Sequence, residues 1–340
     1  MHYAAWRGHQ QVVELLLTTG QADINARDKD GWTPLFSAAR GGHEGVVRLL
    51  IETANIDIDA RDRGGRTPLF SAGLGGHEGV VELLLKTGKV DVDARDNDGC
   101  TPLFPAAQGG YEGVVRLLIE TGKADINIKD KWGRTALFLA ASEGHAGVVK
   151  LLLETGRVNV NVRDENGRTA LSLAVGHDHE SVVKLLLGTG KVDVDIQDEN
   201  GQTPLFRAAA KGAEGMVKLL LGATKVDVNV RDMWVRTALF SAVEKEHEGT
   251  VKLMLEMGNI DVDVKDIDDR TPLFWAAYYG HEKVARLLLE TGRVDVDARD
   301  VVGWTPLICA TKNGCDGMVK LLGEFTKDEG IPVRTNEGEN

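Results

Sequence analysis

The chain has 340 residues, a formal net charge of −12 and three cysteines, Cys100, Cys309 and Cys315. The acidic balance opposes the phosphate contacts that give nucleic-acid binding its affinity, and the absence of a C-x-x-C pair argues against a redox or zinc motif. No stretch approaches roughly 18 apolar residues, and the N-terminus lacks the zones of a signal peptide. We therefore expect a soluble cytoplasmic protein that binds neither nucleic acid nor membrane.

Threonine recurs every 34 residues along the chain, and the positions are Thr33, Thr67, Thr101, Thr135, Thr169, Thr203, Thr237, Thr271 and Thr305. A fixed period of this size indicates stacked structural repeats, so we expect one repeat array over residues 1–325. The array begins with a partial repeat, 1–27, and a polar tail predicted to be disordered follows at 326–340. The full repeats are predicted at 28–61, 62–95, 96–129, 130–163, 164–197, 198–231, 232–265, 266–299 and 300–325.

The repeat over 28–61 predicts a turn followed by two antiparallel helices. Thr33 can cap the first helix and Pro34 suits its first position, while Gly41 and Gly42 mark its end. The second helix is expected to begin near His43-Glu44 and to run through apolar residues at helical spacing as far as Ile51. Six of the eight prolines occupy the place of Pro34, which predicts the same helix start in those repeats.

The segment "GWTPLFSAARGGHEGVVRLL" at residues 31–50 resembles the ankyrin repeat, whose usual phrase is G-x-TPLH-x-AA-x-x-GH with a period of 33. The resemblance extends over about residues 1–325 and implies an all-α solenoid of about ten helix-turn-helix units. This chain departs from the family in its 34-residue period and in carrying Phe at the His position of TPLH, where His2 alone keeps the usual residue. We expect aromatic packing between repeats to replace the hydrogen bonds of that His.

The two ends of the array look incomplete by comparison with the internal repeats. Met1 falls on the Leu of T-P-L, and the last second helix, "MVKLLGEF", is short. Repeat arrays normally carry polar capping repeats at both ends. We expect either that the chain is a fragment of a longer protein or that its outer helices fray.

Seven of the nine histidines share one position between the helices of a repeat: His9, His43, His77, His145, His179, His247 and His281. Stacked repeats place such positions roughly 8–10 Å apart, too far for one metal ion, so we predict that they brace loops. His177 beside His179 leaves adventitious metal binding as an alternative at one loop.

Paired aspartates recur in the loop after the second helix: Asp57/Asp59, Asp91/Asp93, Asp193/Asp195, Asp261/Asp263 and Asp295/Asp297. They lack the Gly and the distal Glu of a calcium loop, which indicates a solvated face. The sequence has no nucleophile elbow, P-loop or H-E-x-x-H motif. We predict no enzyme activity, no metal and no cofactor.

Binding residues of a repeat array are expected where the copies diverge, because the shared positions build the scaffold. The divergent aromatic and apolar residues are Trp234, Trp275, Tyr278, Tyr279, Trp304 and Met233, with Trp32 and Trp132 isolated at comparable positions. Trp and Tyr dominate interface energetics, so we predict a partner-binding patch at these residues. The alternative is that some of them pack on the neighbouring repeat, and Trp275 is the strongest candidate for packing.

Three substitutions predict a weaker segment within 169–240. Ser172 stands where most copies have Phe, Asp178 stands where they have a helix-ending Gly, and Val235 replaces a turn Gly. Burial of less aromatic surface and a β-branched residue at positive φ both lower stability.

The resemblance to ankyrin repeats implies non-catalytic recognition of a partner protein through a concave groove, by a monomer. The 34-residue units are also similar to ankyrin arrays of filamentous fungi, often the sensor end of large NLR-like receptors. In that alternative the array is a sensor or autoinhibitory arm, and its partner is another domain of the same polypeptide. An enzyme is the third alternative.

Overall fold

A computed structural model of the protein describes residues 1–20 and 22–326. All regular secondary structure within these residues is α-helical. These residues cluster into two compact units, Met1–Ile196 and a second that begins at Gln197. Apart from Thr326, the tail predicted to be disordered lies outside the described residues. The fold class predicted from the sequence, an all-α array of helix-turn-helix pairs, is confirmed.

The first unit contains six pairs of helices in its described residues. Their bounds are α1 His2–Trp6, α2 Gln10–Thr18, α3 Pro34–Gly41, α4 Glu44–Ile51, α5 Pro68–Gly75, α6 Glu78–Lys86, α7 Leu103–Gln108, α8 Glu112–Glu120, α9 Ala136–Ser142, α10 Ala146–Glu154, α11 Ala170–Gly176 and α12 Glu180–Gly188. Each first helix packs against the first helix of the next repeat, and each second helix against the next second helix.

The second unit contains four pairs between Gln197 and Thr326, and they pack in the same order. Their bounds are α13 Pro204–Lys211, α14 Glu214–Leu221, α15 Ala238–Glu244, α16 Glu248–Leu255, α17 Pro272–Tyr279, α18 Glu282–Glu290, α19 Pro306–Lys312 and α20 Asp316–Gly323. No helix in 1–20 or 22–326 has both the length and the apolar character needed to cross a membrane.

The first helix of a repeat begins as the sequence predicts. Thr33 has an extended backbone, and its hydroxyl oxygen accepts the Phe36 N–H at 3.2 Å, with Pro34 at the first helical position. The same threonine cap forms at Thr67, Thr135, Thr169, Thr203, Thr237, Thr271 and Thr305.

The repeat over 96–129 differs, because its first helix begins at Leu103 rather than at Pro102. Pro105 stands where Ser37 donates its N–H to the Thr33 carbonyl, and proline has no N–H to donate. The Phe104 N–H bonds the Thr101 carbonyl instead, and the buried Thr101 hydroxyl has no hydrogen-bond partner. The predicted helix start is therefore wrong for this repeat alone.

The side chains at the Phe position are buried in every repeat that carries one: Phe36, Phe70, Phe104, Phe138, Phe206, Phe240 and Phe274. Phe104 and Phe138 of neighbouring repeats share one apolar cluster with Leu139 and Leu173. An aromatic pair between repeats forms at Phe240–Trp275, where the ring centroids lie 6.2 Å apart.

Ser172 compensates in part for the missing phenyl ring. It is buried and completes a capping box, since its hydroxyl oxygen accepts the Thr169 N–H at 2.9 Å and its own N–H bonds the Thr169 hydroxyl. Asp178 and Val235 adopt positive φ angles of 61° and 65°, the conformation of the glycines they replace. Asp tolerates this conformation better than the β-branched Val does.

Six of the seven histidines between the helices, all except His9, brace neighbouring repeats as predicted. The Nε2–H of His43 donates to the Trp6 carbonyl at 2.7 Å, which joins the start of one second helix to the preceding first helix. Equivalent bonds join His77 to Arg40, His145 to Gln108, His179 to Ser142, His247 to Ala210 and His281 to Glu244.

Candidate functional site

An aspartate, buried in seven of the repeats, organises the turn before the first helix. In the second unit, Asp232 Oδ1 accepts the backbone N–H groups of Trp234 and Arg236, both at 2.9 Å. Asp232 Oδ2 accepts from the Arg236 guanidinium. Because the carboxylate satisfies the backbone of the turn, the side chains of Met233 and Trp234 are not needed for its conformation. We call the two residues after each such aspartate the turn tip.

The tip residue Trp234 is held in place by a cation. The Arg236 guanidinium lies 4.8 Å from the Trp234 ring, and its Nη1 bonds Glu244 Oε2 at 3.3 Å. The indole is nevertheless 39% exposed, and the neighbouring Met233 is 60% exposed. The free side of Trp234 is therefore open to a partner.

Trp275, Tyr278 and Tyr279 form one cluster on the first helix of the next repeat. The ring of Trp275 lies 5.4 Å from that of Tyr278 and is stacked at 5.6 Å on that of Tyr279. Tyr279 also stacks on His281 at 5.4 Å. Tyr278 and Tyr279 are both exposed, so the cluster presents two tyrosines supported by a tryptophan.

Trp275 has a structural role in addition. It is half-buried, and its indole N–H donates to Asp266 Oδ2 at 2.9 Å. Arg207 occupies the equivalent position of another repeat and bonds Asp198 in the same way. Trp275 thus satisfies a buried turn aspartate of its own repeat while it supports the two tyrosines. Its ring also contacts Phe240 of the preceding repeat, the packing for which it was the strongest candidate.

Trp304 lies under a cation from the end of its own first helix. The Lys312 ammonium is 5.2 Å from the Trp304 ring, and the neighbouring Asn313 donates its side-chain N–H to the Tyr278 carbonyl at 3.0 Å. The Asn313 bond joins the end of this helix to the end of the helix that carries the tyrosine cluster. We call Met233, Trp234, Trp275, Tyr278, Tyr279 and Trp304 together the aromatic patch.

Apolar turn tips border the aromatic patch. Ile267, Val301 and Val302 are exposed, like Met233. Exposed apolar residues concentrated in neighbouring repeats typically mark a site of interaction with another protein.

Acidic side chains lie at the tyrosines. Partial burial raises the pKa of Tyr279, and the Glu244 carboxylate raises it further. Glu246 Oε2 lies 3.4 Å from Nδ1 of His281, the histidine on which Tyr279 stacks. Tyr279 therefore remains a neutral phenol that can donate a hydrogen bond at physiological pH.

Trp32 and Trp132 lie in the first unit, apart from the aromatic patch, yet they repeat its local geometry. Arg40 lies 4.7 Å from the Trp32 ring, with the same sequence spacing as Lys312 and Trp304. Arg134 lies 4.4 Å from the Trp132 ring, with the spacing of Arg236 and Trp234. Each is half-buried and isolated from other Trp and Tyr rings in the described part of the chain.

The cations that orient these tryptophans were missed in the sequence. Arg236 follows Trp234 by two residues and Lys312 follows Trp304 by eight, and the same offsets recur at Trp132–Arg134 and Trp32–Arg40. This recurrence is a signal that could have identified them.

The thiols are not activated for nucleophilic chemistry at two of the three cysteines. Burial raises the pKa of Cys100 to about 12 and that of Cys309 to about 11. Within residues 1–20 and 22–326, no three His, Cys, Asp or Glu side chains are grouped as metal ligands.

A family model described as "Ankyrin repeats (3 copies)" matches residues 1–96, 55–130, 80–162, 122–198, 183–266 and 239–331. Among solved structures, the crystal structure of the ankyrin repeat protein EF0377 is similar to this chain, with 27% sequence identity and a TM-score of 0.54. The similarity covers 59% of this chain and 98% of that protein. No curated protein sequence matches the chain significantly.

Proposed function

This chain belongs to the ankyrin-repeat family, and on that basis we propose that it is a non-catalytic scaffold that binds one protein partner through the aromatic patch. Ankyrin repeats are in general protein–protein interaction scaffolds. The observation that carries the proposal is the concentration of exposed aromatic and apolar residues in three consecutive repeats of the second unit. Those that lie on turns, such as Trp234, are not required by the turn backbone, which the aspartate holds.

We further propose that residues 1–325 act as one array with a concave groove, and that the aromatic patch anchors the partner there. The partner is a polypeptide, either another protein or another domain of the same chain, and the array itself is a monomer. The three free cysteines, Cys100, Cys309 and Cys315, are consistent with the proposed cytoplasmic location.

The partner segment should be apolar and able to hydrogen-bond. Trp234 and Trp304 offer half-exposed ring faces, and the exposed Tyr278 and Tyr279 offer hydroxyl groups beside them. Anchors of this type typically contribute about 2 kcal/mol or more each at the centre of an interface.

The proposal is tested by replacing Trp234, Tyr278 and Trp304 with Ala. We expect the triple variant to lose capture of the partner from a lysate of the source organism, and to bind the purified, identified partner at least about 30-fold more weakly. The melting temperature should fall by no more than about 2–4 °C, because exposed substitutions change stability little.

The matched control replaces Trp32 and Trp132 with Ala, since these residues have the same local cation contacts in the first unit. The control should keep the affinity for the partner. Retained binding by the triple variant together with a clear loss of stability would show that the aromatic patch only packs on its own repeats, and loss of binding in the control would move the site to Trp32 and Trp132.

A further inference from the structure

One position in the loop after the second helix alternates between asparagine and aspartate along the array. Its occupants are Asn25, Asp59, Asp93, Asn127, Asn161, Asp195, Asn229, Asp263 and Asp297. The side chain at this position reaches the equivalent loop of the next repeat, so it contributes directly to the contact between neighbouring repeats.

Asparagine makes two hydrogen bonds to the next loop. The side-chain oxygen of Asn25 accepts the Asp57 N–H at 2.9 Å, and its side-chain amide donates to the Asn55 carbonyl at 2.8 Å. Asn127, Asn161 and Asn229 make the same pair of bonds, to residues 30 and 32 positions further along the chain.

Aspartate makes only one of these two bonds at two positions. Asp59 Oδ2 accepts the Asp91 N–H at 2.9 Å, and Asp263 Oδ2 accepts the Asp295 N–H at 2.9 Å. The other oxygen, Oδ1, is buried in both residues and has no hydrogen-bond partner. An ionised carboxylate has no proton to donate, so it cannot replace the bond that the asparagine amide gives to the carbonyl of the next loop.

We propose that Asp59 and Asp263 are proton-dependent bridges between neighbouring loops. On protonation, the Oδ1–H of Asp59 donates to the Lys89 carbonyl and that of Asp263 donates to the Arg293 carbonyl, the acceptors 30 residues along the chain. Each protonated aspartic acid then makes the two bonds that asparagine makes elsewhere in the array.

The groups that face Asp263 favour its protonated form on balance. Burial raises the pKa of Asp263, and the carboxylates of Asp295 and Asp261 also raise it, while the Asp295 N–H and Lys265 oppose them. The ordinary value for this carboxyl group is 3.8. Protonation relieves both the buried charge and the repulsion between the carboxylates.

Asp59 in the first unit has the same surroundings. Burial raises the pKa of Asp59, the Asp91 N–H lowers it, the carboxylates of Asp91 and Asp57 raise it, and Arg61 lowers it. The two positions lie in different compact units, so the device occurs twice in the chain.

The direction of the pH effect follows from the raised pKa. The folded protein holds this proton more tightly than the unfolded chain does, so the loop contact gains stability as pH falls through the folded pKa towards 3.8. Above the folded pKa the carboxylate is ionised and the gain is absent. Most buried carboxylates in salt bridges behave in the opposite way.

The experiment measures hydrogen exchange at the Asp295 amide in the full chain, as a protection factor corrected for the intrinsic rate at each pH. We expect protection in the wild type to rise, by up to about tenfold, as the pH falls from about 7.5 to about 4, the effect of one added buried hydrogen bond. The variant Asp263→Asn should show, at both pH values, the protection that the wild type gains only at the lower pH. The fold accepts this change, because asparagine occupies the position in four other repeats.

Two further variants keep the proposal falsifiable. Asp261→Asn removes the same charge from the exposed neighbour but leaves Asp263 Oδ1 unbonded, so it should not reproduce the gain of Asp263→Asn. The reciprocal change, Asn161→Asp, should make protection of the Asp193 amide pH-dependent. Three results would each overturn the proposal. The protection of the Asp295 amide in Asp263→Asn could depend on pH as it does in the wild type, or Asp261→Asn could gain as much protection as Asp263→Asn. The protection of the Asp193 amide in Asn161→Asp could be independent of pH.

Discussion

The turns at 62–66 and 232–236 have the same backbone hydrogen bonds but carry side chains of different chemistry at their tips. Asp62 Oδ1 accepts the N–H groups of Gly64 and Arg66, as Asp232 Oδ1 accepts those of Trp234 and Arg236. The first turn ends in an arginine and a glycine at its tip, and the second in a methionine and a tryptophan. The fold therefore places no demand on the tip residues, and their chemistry is free to serve a partner.

Removal of the turn aspartate gives the largest expected effect and tests whether both turns depend on one scaffold. Asp62→Ala and Asp232→Ala should each lower the free energy of unfolding by about 2–4 kcal/mol, because two backbone N–H groups and an arginine lose a buried acceptor. Urea unfolding followed by circular dichroism measures the change.

The tip variant Arg63→Ala is the control for these substitutions and should change stability by no more than about 0.5 kcal/mol. A loss below about 1 kcal/mol in either aspartate variant would mean that the turn is held by its tip residues after all, and the comparison between the two turns would fail.

Substitutions of Trp275 test its structural role in the second unit, apart from its contacts with the tyrosines. Trp275→Phe keeps an aromatic ring but removes the N–H that Asp266 accepts, so it should lower the free energy of unfolding by about 1–2 kcal/mol. Trp275→Arg should recover part of this loss, because Arg207 bonds Asp198 from the equivalent position. Thermal unfolding of the wild type, Trp275→Phe and Trp275→Arg measures these differences in stability.

If Trp275→Phe were as stable as the wild type and Trp275→Arg less stable, the hydrogen bond to Asp266 would carry no weight. The role of Trp275 would then be confined to its ring contacts with Tyr278 and Tyr279.

Backbone strain gives the smallest expected effect. The turns of the first unit have glycine at the position of positive φ, and so do two turns of the second unit, at Gly201 and Gly303. Val235 stands at this position in the second unit with φ of 65°. Val235→Gly should raise the free energy of unfolding by about 1 kcal/mol, since a left-handed conformation costs a β-branched residue more than it costs glycine.

The reciprocal variant in the first unit is Gly133→Val, which should be destabilising. Gly133 has a φ of 78°, which valine adopts at a cost. A Cβ at this position would also lie 3.2 Å from the Arg163 carbonyl oxygen. Equal stability of wild type and Val235→Gly in urea would show that the second unit has relaxed around this valine.

The period, the threonine caps and the bracing histidines followed from the sequence alone, because each depends on local residue chemistry repeated at a fixed interval. Thr33 caps a helix whose N–H groups lie three residues away, and Pro34 fixes the first turn. The exposure of Trp234 and Tyr278 was also predictable, since shared positions form the core and divergent ones do not. Whether the aromatic patch binds a partner stays a prediction.

Tertiary structure decided which groups meet across repeats. A Cβ at Gly113 would overlap the carboxylate of Glu78 from the preceding second helix, so a larger residue there requires that carboxylate to move. Ala146 stands at the position of Glu78 in its own repeat, and the next repeat has Ser181 in place of glycine. The indole donor for Asp266 and the unbonded oxygen of Asp263 likewise depend on packing. A 34-residue period shows which positions are equivalent. Only the packing of neighbouring repeats shows which acceptor or carboxylate each position faces.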